Sequence, residues 1–155
     1  MSHDASIEEF AAGGAVLAQA IAGLDDTDLS ARPVPGTWSI GEIVVHLLDA
    51  ELIGVHRMKS ITAENLPLMI GYDETAFINN LSPEKLPVAD VLAAVDLNRR
   101  IFAATLRGLP ASAFERAGIH NEVGRITLGE MLEKYNKHLS HHLKFVREKR
   151  AKLGK

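Results

Sequence analysis

The chain has 155 residues, 46% of them hydrophobic and 24% charged, with a formal net charge of −3 at pH 7. That length suits one domain with a sizeable core, and the charge shows neither the basic excess that nucleic acid demands nor the strong acidity of a disordered chain. Cysteine is absent, which excludes disulfides and thiolate metal sites and suits a reduced, cytoplasmic compartment.

Met1–Ala5 reads as a loose tail with His3 in solvent, and it lacks the basic and apolar blocks of a secretory signal. From Ile7 to Leu24, alanine, leucine and isoleucine predict a first helix, with Phe10, Leu17, Ile21 and Leu24 on its buried face. Gly13 and Gly14 weaken that helix by about 1 kcal/mol each relative to alanine and suit close helix packing instead. Asp25-Asp26-Thr27-Asp28 ends it, and Ala31–Gly36, with two prolines, is a connecting loop. Ser39 followed three residues later by Glu42 is a capping box, in which hydroxyl and carboxylate each take up a free backbone N–H. The second helix then runs to Ile61. Ile40, Ile43, Val44, Leu47, Leu52 and Val55 leave it apolar around much of its circumference, which places it well inside a bundle.

Thr62–Pro87 is a long connection with a short helix over Asp73–Leu81, and loops this long in compact domains often cover a site. The third helix spans Val88–Arg107, with Val91, Leu92, Val95, Ile101, Phe102 and Leu106 as core candidates. Gly108-Leu109-Pro110 stops it. Ala111–Gly124 holds a short helical turn and then His120 in an irregular or extended segment. The fourth helix, Thr127–Arg150, is entered like the second, with Thr127 and Glu130 in the same cap pattern. Its Lys144, Arg147, Lys149 and Arg150 read as a solvated end matched to the helix dipole. No run approaches the roughly 20 apolar residues of a membrane span, and no strand pattern competes. The predicted fold is all-α, a four-helix bundle with a long crossover between the second and third helices.

His138 and His142 stand four residues apart, stacked on one side of the fourth helix with Met131, Tyr135, Leu139, Phe145 and Val146. The pair reads either as a metal face or as an amphipathic helix that happens to carry imidazoles, each needing a polar partner. His46 lies on an apolar stripe of the second helix with Ile43, Ala50 and Ile53. Alone it reads more simply as a core histidine bonded to a carbonyl or an acid. Together the three would supply nitrogen ligands from two helices and leave a position for water or substrate, the catalytic rather than the structural pattern. Imidazole does not choose among zinc, nickel, iron and copper. Such an ion could acidify bound water as a nucleophile or hold a substrate thiol as thiolate.

The other candidates are weaker. His141 sits about 60° round the helix from His138, at the rim, with a possible acid–base part. His56 is too far along its helix to share the ion. Asp49, one turn from His46, could orient a ligand or bind a substrate cation, or simply pair with Arg57 or a lysine. Glu51 reads as half of a helix–helix ion pair, and Trp38 as a packing residue at the helix entry. Tyr72, Asp73 and Glu74 could reach over the site from the long connection, or be solvated.

The stretch Pro35-Gly36-Thr37-Trp38-Ser39-Ile40-Gly41-Glu42-Ile43-Val44-Val45-His46-Leu47-Leu48-Asp49-Ala50-Glu51 resembles the second-helix signature of the DinB-like (damage-inducible type) metalloproteins. His138-Leu139-Ser140-His141-His142 resembles that family's last-helix His-x-x-x-His element, and Gly71–Phe77 its acid-and-aromatic connection. The resemblance runs from about Leu24 to Val146 and carries the metal triad onto His46, His138 and His142. It implies a four-helix bundle of bacterial source, a divalent metal ion, most often zinc or nickel, and often a homodimer. Characterised relatives of this kind include transferases and isomerases that use the low-molecular-weight thiols bacillithiol or mycothiol. The leading expectation is therefore a metal-dependent thiol S-transferase acting on a small-molecule substrate, with His141, Asp49 and Tyr72 as catalytic candidates. A hydrolase using a metal-bound hydroxide and a non-catalytic metal- or ligand-binding stress protein are the alternatives. Neither nucleic acid nor membrane is expected as a partner.

Overall fold

A computed structural model describes residues 3–155, so Met1 and Ser2 of the expected tail lie outside the described residues. Four long helices form the body: α1 (Asp4–Ile21), α3 (Ile40–Ala63), α5 (Val88–Arg107) and α6 (Leu128–Leu153). A short helix, α2 (Asp26–Ser30), precedes α3. The crossover from α3 to α5 carries β1 (Leu68–Met69) and α4 (Glu74–Asn80), and β2 (Ala117–His120) and β3 (Gly124–Thr127) lead into α6. The all-α bundle with its long crossover is thus the fold, and no helix among the described residues is long and apolar enough to cross a membrane.

The capping boxes do what their residue types require. Ser39 Oγ accepts from the backbone N–H of Glu42, whose carboxylate accepts from that of Ser39, and Thr127 with Glu130 repeats the exchange at α6. A third box was not expected. Asp25 and Asp28 cap α2, so the acid run read as the end of one helix is the start of another.

Around the bundle the packing order is α1, α5, α3, α6, so α1 and α3, consecutive long helices in the chain, sit across from each other. This arrangement lays α3 beside α6. Gly13 and Gly14 permit the tight α1–α5 approach: a Cβ at Gly13 would lie 2.0 Å from Arg99 Nη1, and one at Gly14 2.4 Å from Asp96 Cα. The apolar interior falls into two clusters. One is built around Phe10, Met58, Phe102, Leu128 and Met131, the other around Leu17, Ile40, Leu47, Val95 and Val146.

Deep between the clusters, Arg99 is fully buried and ion-paired to Glu51 across α3 and α5. Arg99 also donates to the carbonyls of Phe10 at 3.1 Å and Tyr135 at 3.4 Å, joining all four long helices.

Several expectations need correction. A small three-stranded sheet exists: β1 pairs parallel with β2, setting Met69 opposite His120, and β2 pairs antiparallel with β3 through the turn at Gly124 (φ 76°). The strands are two to four residues long, too short for alternation to show in the sequence. Leu52, Ile101 and Phe145 face outward at 51%, 58% and 40% exposure, because the apolar arc of each helix is wider than the face its neighbours cover. His3 is half-buried rather than free in solvent, stacked on Phe114 with ring centroids 4.3 Å apart. The cationic end of α6 is only partly solvated. Lys149 is buried and donates to Thr37 Oγ1, and Arg150 donates to the carbonyls of Ala20 and Ala22.

Candidate metal centre

Helix α3 brings in His46 two turns after its cap, and α6 brings in His138 and His142 from the neighbouring position in the ring. The three Nε2 atoms converge. His46 Nε2 lies 3.2 Å and His142 Nε2 3.1 Å from His138 Nε2, and the trio forms a group whose ligand atoms all lie within 4.8 Å of one another. His46 is 1% exposed, the other two half-buried.

Burial pushes the pKa of His46 down to about 4. Burial, followed by the neighbouring imidazoles, pushes His138 to about 4 and His142 to about 3. At neutral pH all three rings are uncharged, which is the ligating form.

The donor set fits a divalent ion. Two nitrogens about 2.0–2.1 Å from a tetrahedral ion stand about 3.3–3.4 Å apart, close to the spacings found. Three neutral imidazoles facing one another cannot all satisfy their Nε2 atoms by mutual hydrogen bonds, whereas one cation accepts all three lone pairs. The Nδ1 atoms of His138 and His142 are buried without a hydrogen-bond partner. Rings are therefore held in place by packing rather than by the hydrogen bond that usually orients a ligating histidine. Trp38 lies against His46 with centroids 5.0 Å apart, and Tyr135 and Phe145 flank His138 and His142 at 6.3 and 6.1 Å.

The crossover reaches over this group. Glu74, in the first turn of α4, places Oε2 3.7 Å from His46 Nε2. The Tyr72 hydroxyl is buried without a hydrogen-bond partner, and burial, then Glu74, Tyr135 and Asp49, push its pKa upward, so it stays protonated. Asp49 is half-buried and burial raises its pKa; it pairs with neither Arg57 nor a lysine among the described residues. Asp73 caps α4 through the Ala76 N–H at 2.8 Å, a structural part. His141 is exposed at the rim, edge-on to Phe145 at 4.8 Å, and His56 is exposed and apart from the group.

Two cavities border the triad at opposite ends of its row on α6. Beyond His142 lies an apolar cleft of about 360 Å³ lined by Trp38, Ile43 and Phe145. Before His138 lies a polar cavity of about 170 Å³ lined by Arg57, Tyr72, Glu74, His120 and Lys134. In the sequence Arg57 stands out only as a partner for Asp49. Its spacing held a signal, since eleven residues after His46 is three turns along nearly the same face. His120 had none, because its position depends on the β1–β2 pairing.

Residues 9–146 match the family model of the DinB superfamily. YfiT of Bacillus subtilis is 28% identical over 141 residues, covering 90% of this chain and 79% of its own, and is named provisionally as a metal-dependent hydrolase. A relative from Oceanobacillus iheyensis with the same provisional name is 26% identical over 131 residues, 84% of this chain and 76% of its own. The solved structure of Bacillus subtilis YfiT, described as having an unusual four-helix bundle topology, superposes with a TM-score of 0.93 at 26% identity over 99% of this chain and 90% of that one. A mycothiol-dependent maleylpyruvate isomerase superposes with a TM-score of 0.72 over 92% of this chain and 60% of its own; at 11% identity this shows a shared fold alone.

Proposed function

Because the chain belongs to the DinB superfamily, we propose that it is a metal-dependent hydrolase holding a divalent ion, zinc or nickel, on His46, His138 and His142. The observation that carries this reading is the convergence of three neutral Nε2 atoms with a carboxylate, Glu74, poised 3.7 Å from His46. His46, His138 and His142 would hold the ion with a position left for water or substrate, and when bound it would supply Lewis-acid polarisation and a more acidic water.

The protein's own groups divide the remaining work. Glu74 Oε2 can receive a proton beside the triad and return it to a leaving group, as general bases and acids do. The Tyr72 hydroxyl, protonated and without a partner among the described residues, has one hydrogen bond to offer a substrate oxygen. Trp38 and Phe145 give the His46 and His142 rings aromatic neighbours on the side of the apolar cleft.

Hydrolysis is placed ahead of the thiol transfer expected from the sequence for two reasons. The relatives that align along most of this chain carry hydrolase names, and the thiol-using neighbour shares the fold alone. The test is a screen of esters and amides with the zinc- and nickel-loaded protein, with and without a low-molecular-weight thiol. Thiol-independent turnover that disappears in His138→Ala is the expected result. Turnover that requires the thiol would replace hydrolysis by transfer. Tight metal binding without turnover in either arm would leave a metal- or ligand-binding protein.

A further inference from the structure

The polar cavity beside His138 has an imbalance that the hydrolase reading does not use. Arg57 is 8% exposed, yet among the described residues it has no carboxylate partner; it donates to the carbonyl of Ile70 and, at 3.4 Å, to the Tyr135 hydroxyl. A buried guanidinium without a counter-charge is costly, and the other deeply buried arginine, Arg99, has Glu51. The Tyr72 hydroxyl lining the same cavity is buried with no hydrogen-bond partner among the described residues.

His120, 2% exposed, completes the set. Its Nδ1 accepts the backbone N–H of Glu122 at 3.2 Å, so the neutral ring carries its proton on Nε2. Burial, then Arg57 and Lys134, lower its pKa and favour that neutral form. Lys134 adds a cation at the exposed edge. Opposing them are the carboxylates of Glu74 and Glu122, both exposed, and Asp49 near Tyr72. The buried wall is therefore made of hydrogen-bond donors, Glu74 and Glu122 are exposed at its mouth, and Asp49 is half-buried near Tyr72.

We propose that this cavity is a subsite for a carboxylate of the substrate, received by the Arg57 guanidinium, the Tyr72 hydroxyl and the His120 Nε2–H. The substrate is then a carboxylate-bearing compound whose hydrolysable bond lies at the histidine triad. Placement of that bond rests on the hydrolase reading; the carboxylate subsite rests on Arg57, Tyr72 and His120. About 170 Å³ holds roughly half a dozen water-sized groups at about 30 Å³ each, enough for a carboxylate on two or three carbons.

Calorimetric titration of the metal-free and the zinc-loaded protein with succinate, and with uncharged succinamide, tests the subsite. Succinate is expected to bind both forms and to bind at least about tenfold tighter than succinamide, as befits hydrogen bonds to a charged acceptor. Tyr72→Phe removes only an unpartnered hydroxyl, so it leaves the fold intact, and it is expected to weaken succinate about tenfold. Arg57→Gln is expected to weaken it more, with circular dichroism checking that β1 and Tyr135 keep their places. Equal affinity for succinate and succinamide would overturn the subsite. So would succinate binding that needs zinc and ignores both substitutions, since the ion alone would then hold it. Succinate binding as expected, without ester or amide hydrolysis by the zinc-loaded protein, would uphold the subsite and remove the hydrolase reading.

Discussion

Helix α3 carries two buried polar centres within six residues, and they behave in opposite ways. Glu51 meets Arg99, and that guanidinium spends its remaining reach on carbonyls of α1 and α6. Apart from Glu51 Oε2 and Arg99 Nε, this centre closes on itself. His46 meets two further imidazoles, and the three present lone pairs to one another with nothing cationic among them. A buried polar cluster that balances its own charge is architecture. One that converges like groups on a common point is addressed to something outside the chain.

The comparison breaks most visibly at Arg99. Arg99→Ala leaves the Glu51 carboxylate buried without its partner and is expected to cost about 3–5 kcal/mol in urea denaturation. A variant as stable as the parent would deny that centre its structural part. At the triad the same operation should be read in metal content instead. Each of His46→Ala, His138→Ala and His142→Ala is expected to lower zinc affinity by more than the about 100-fold typical of an outer-shell change, measured by competition with a chromogenic chelator. Stability of the metal-free protein should move by only about 1–2 kcal/mol, the usual range for a single substitution.

Zinc at about one hundred times its dissociation constant is expected to stabilise the protein by about 2.7 kcal/mol, or about 5–10 °C in Tm for a chain of this size. Any triad substitution should abolish that shift, whereas Arg99 variants that remain folded should retain it. Gly54→Ala links the two centres. Its Cβ would fall 2.2 Å from Tyr135 Cζ, the ring carbon that bears the hydroxyl Arg57 binds, and the backbone carbonyl of the same residue accepts from Arg99. Overpacking of this kind costs about 1–3 kcal/mol, and displacement of the Tyr135 ring should carry to His138.

Acid separates the two centres as well. In the metal-free protein the three imidazoles titrate at about 4, 4 and 3, below the ordinary histidine value of about 6.5. Between pH 6.5 and 4 the unfolded chain therefore binds more protons than the folded one, so stability present above that window is lost as pH falls through it. Equilibrium denaturation across the window should show the slope, and His46→Ala should flatten it.

What the sequence made legible followed from local rules. The boxes at Ser39 and Thr127 are complete in their own four residues, and α5 runs over Val88–Arg107 as its pattern requires. The spacing of His138 and His142 fixes a shared face through helical pitch alone. What stayed hidden depends on distant partners. The pairing of Leu68-Met69 with Ile119-His120 joins segments some fifty residues apart, so neither the sheet nor the place of His120 could be seen locally. Phe145 reads as core because its helix is apolar there, yet it lies beside His141 and His142 with 40% of it exposed. Asp25 and Asp28 look alike as a helix stop and as a helix start, and only the five residues after Asp25 settle which.

The placement of the ligands also bears on how the chain assembles. His138 and His142 come together as soon as α6 coils, on the order of a microsecond, whereas His46 lies 92 residues upstream of His138 and arrives only when α3 docks. An ion present during refolding meets the two-residue clip first. It would bias α6 toward helix and bind weakly to the unfolded chain, which reduces the stabilisation measured at high metal concentration. Tight capture reports the later event, the closure of a long loop. The ion would serve first as a brace on one helix and then as the joint between two.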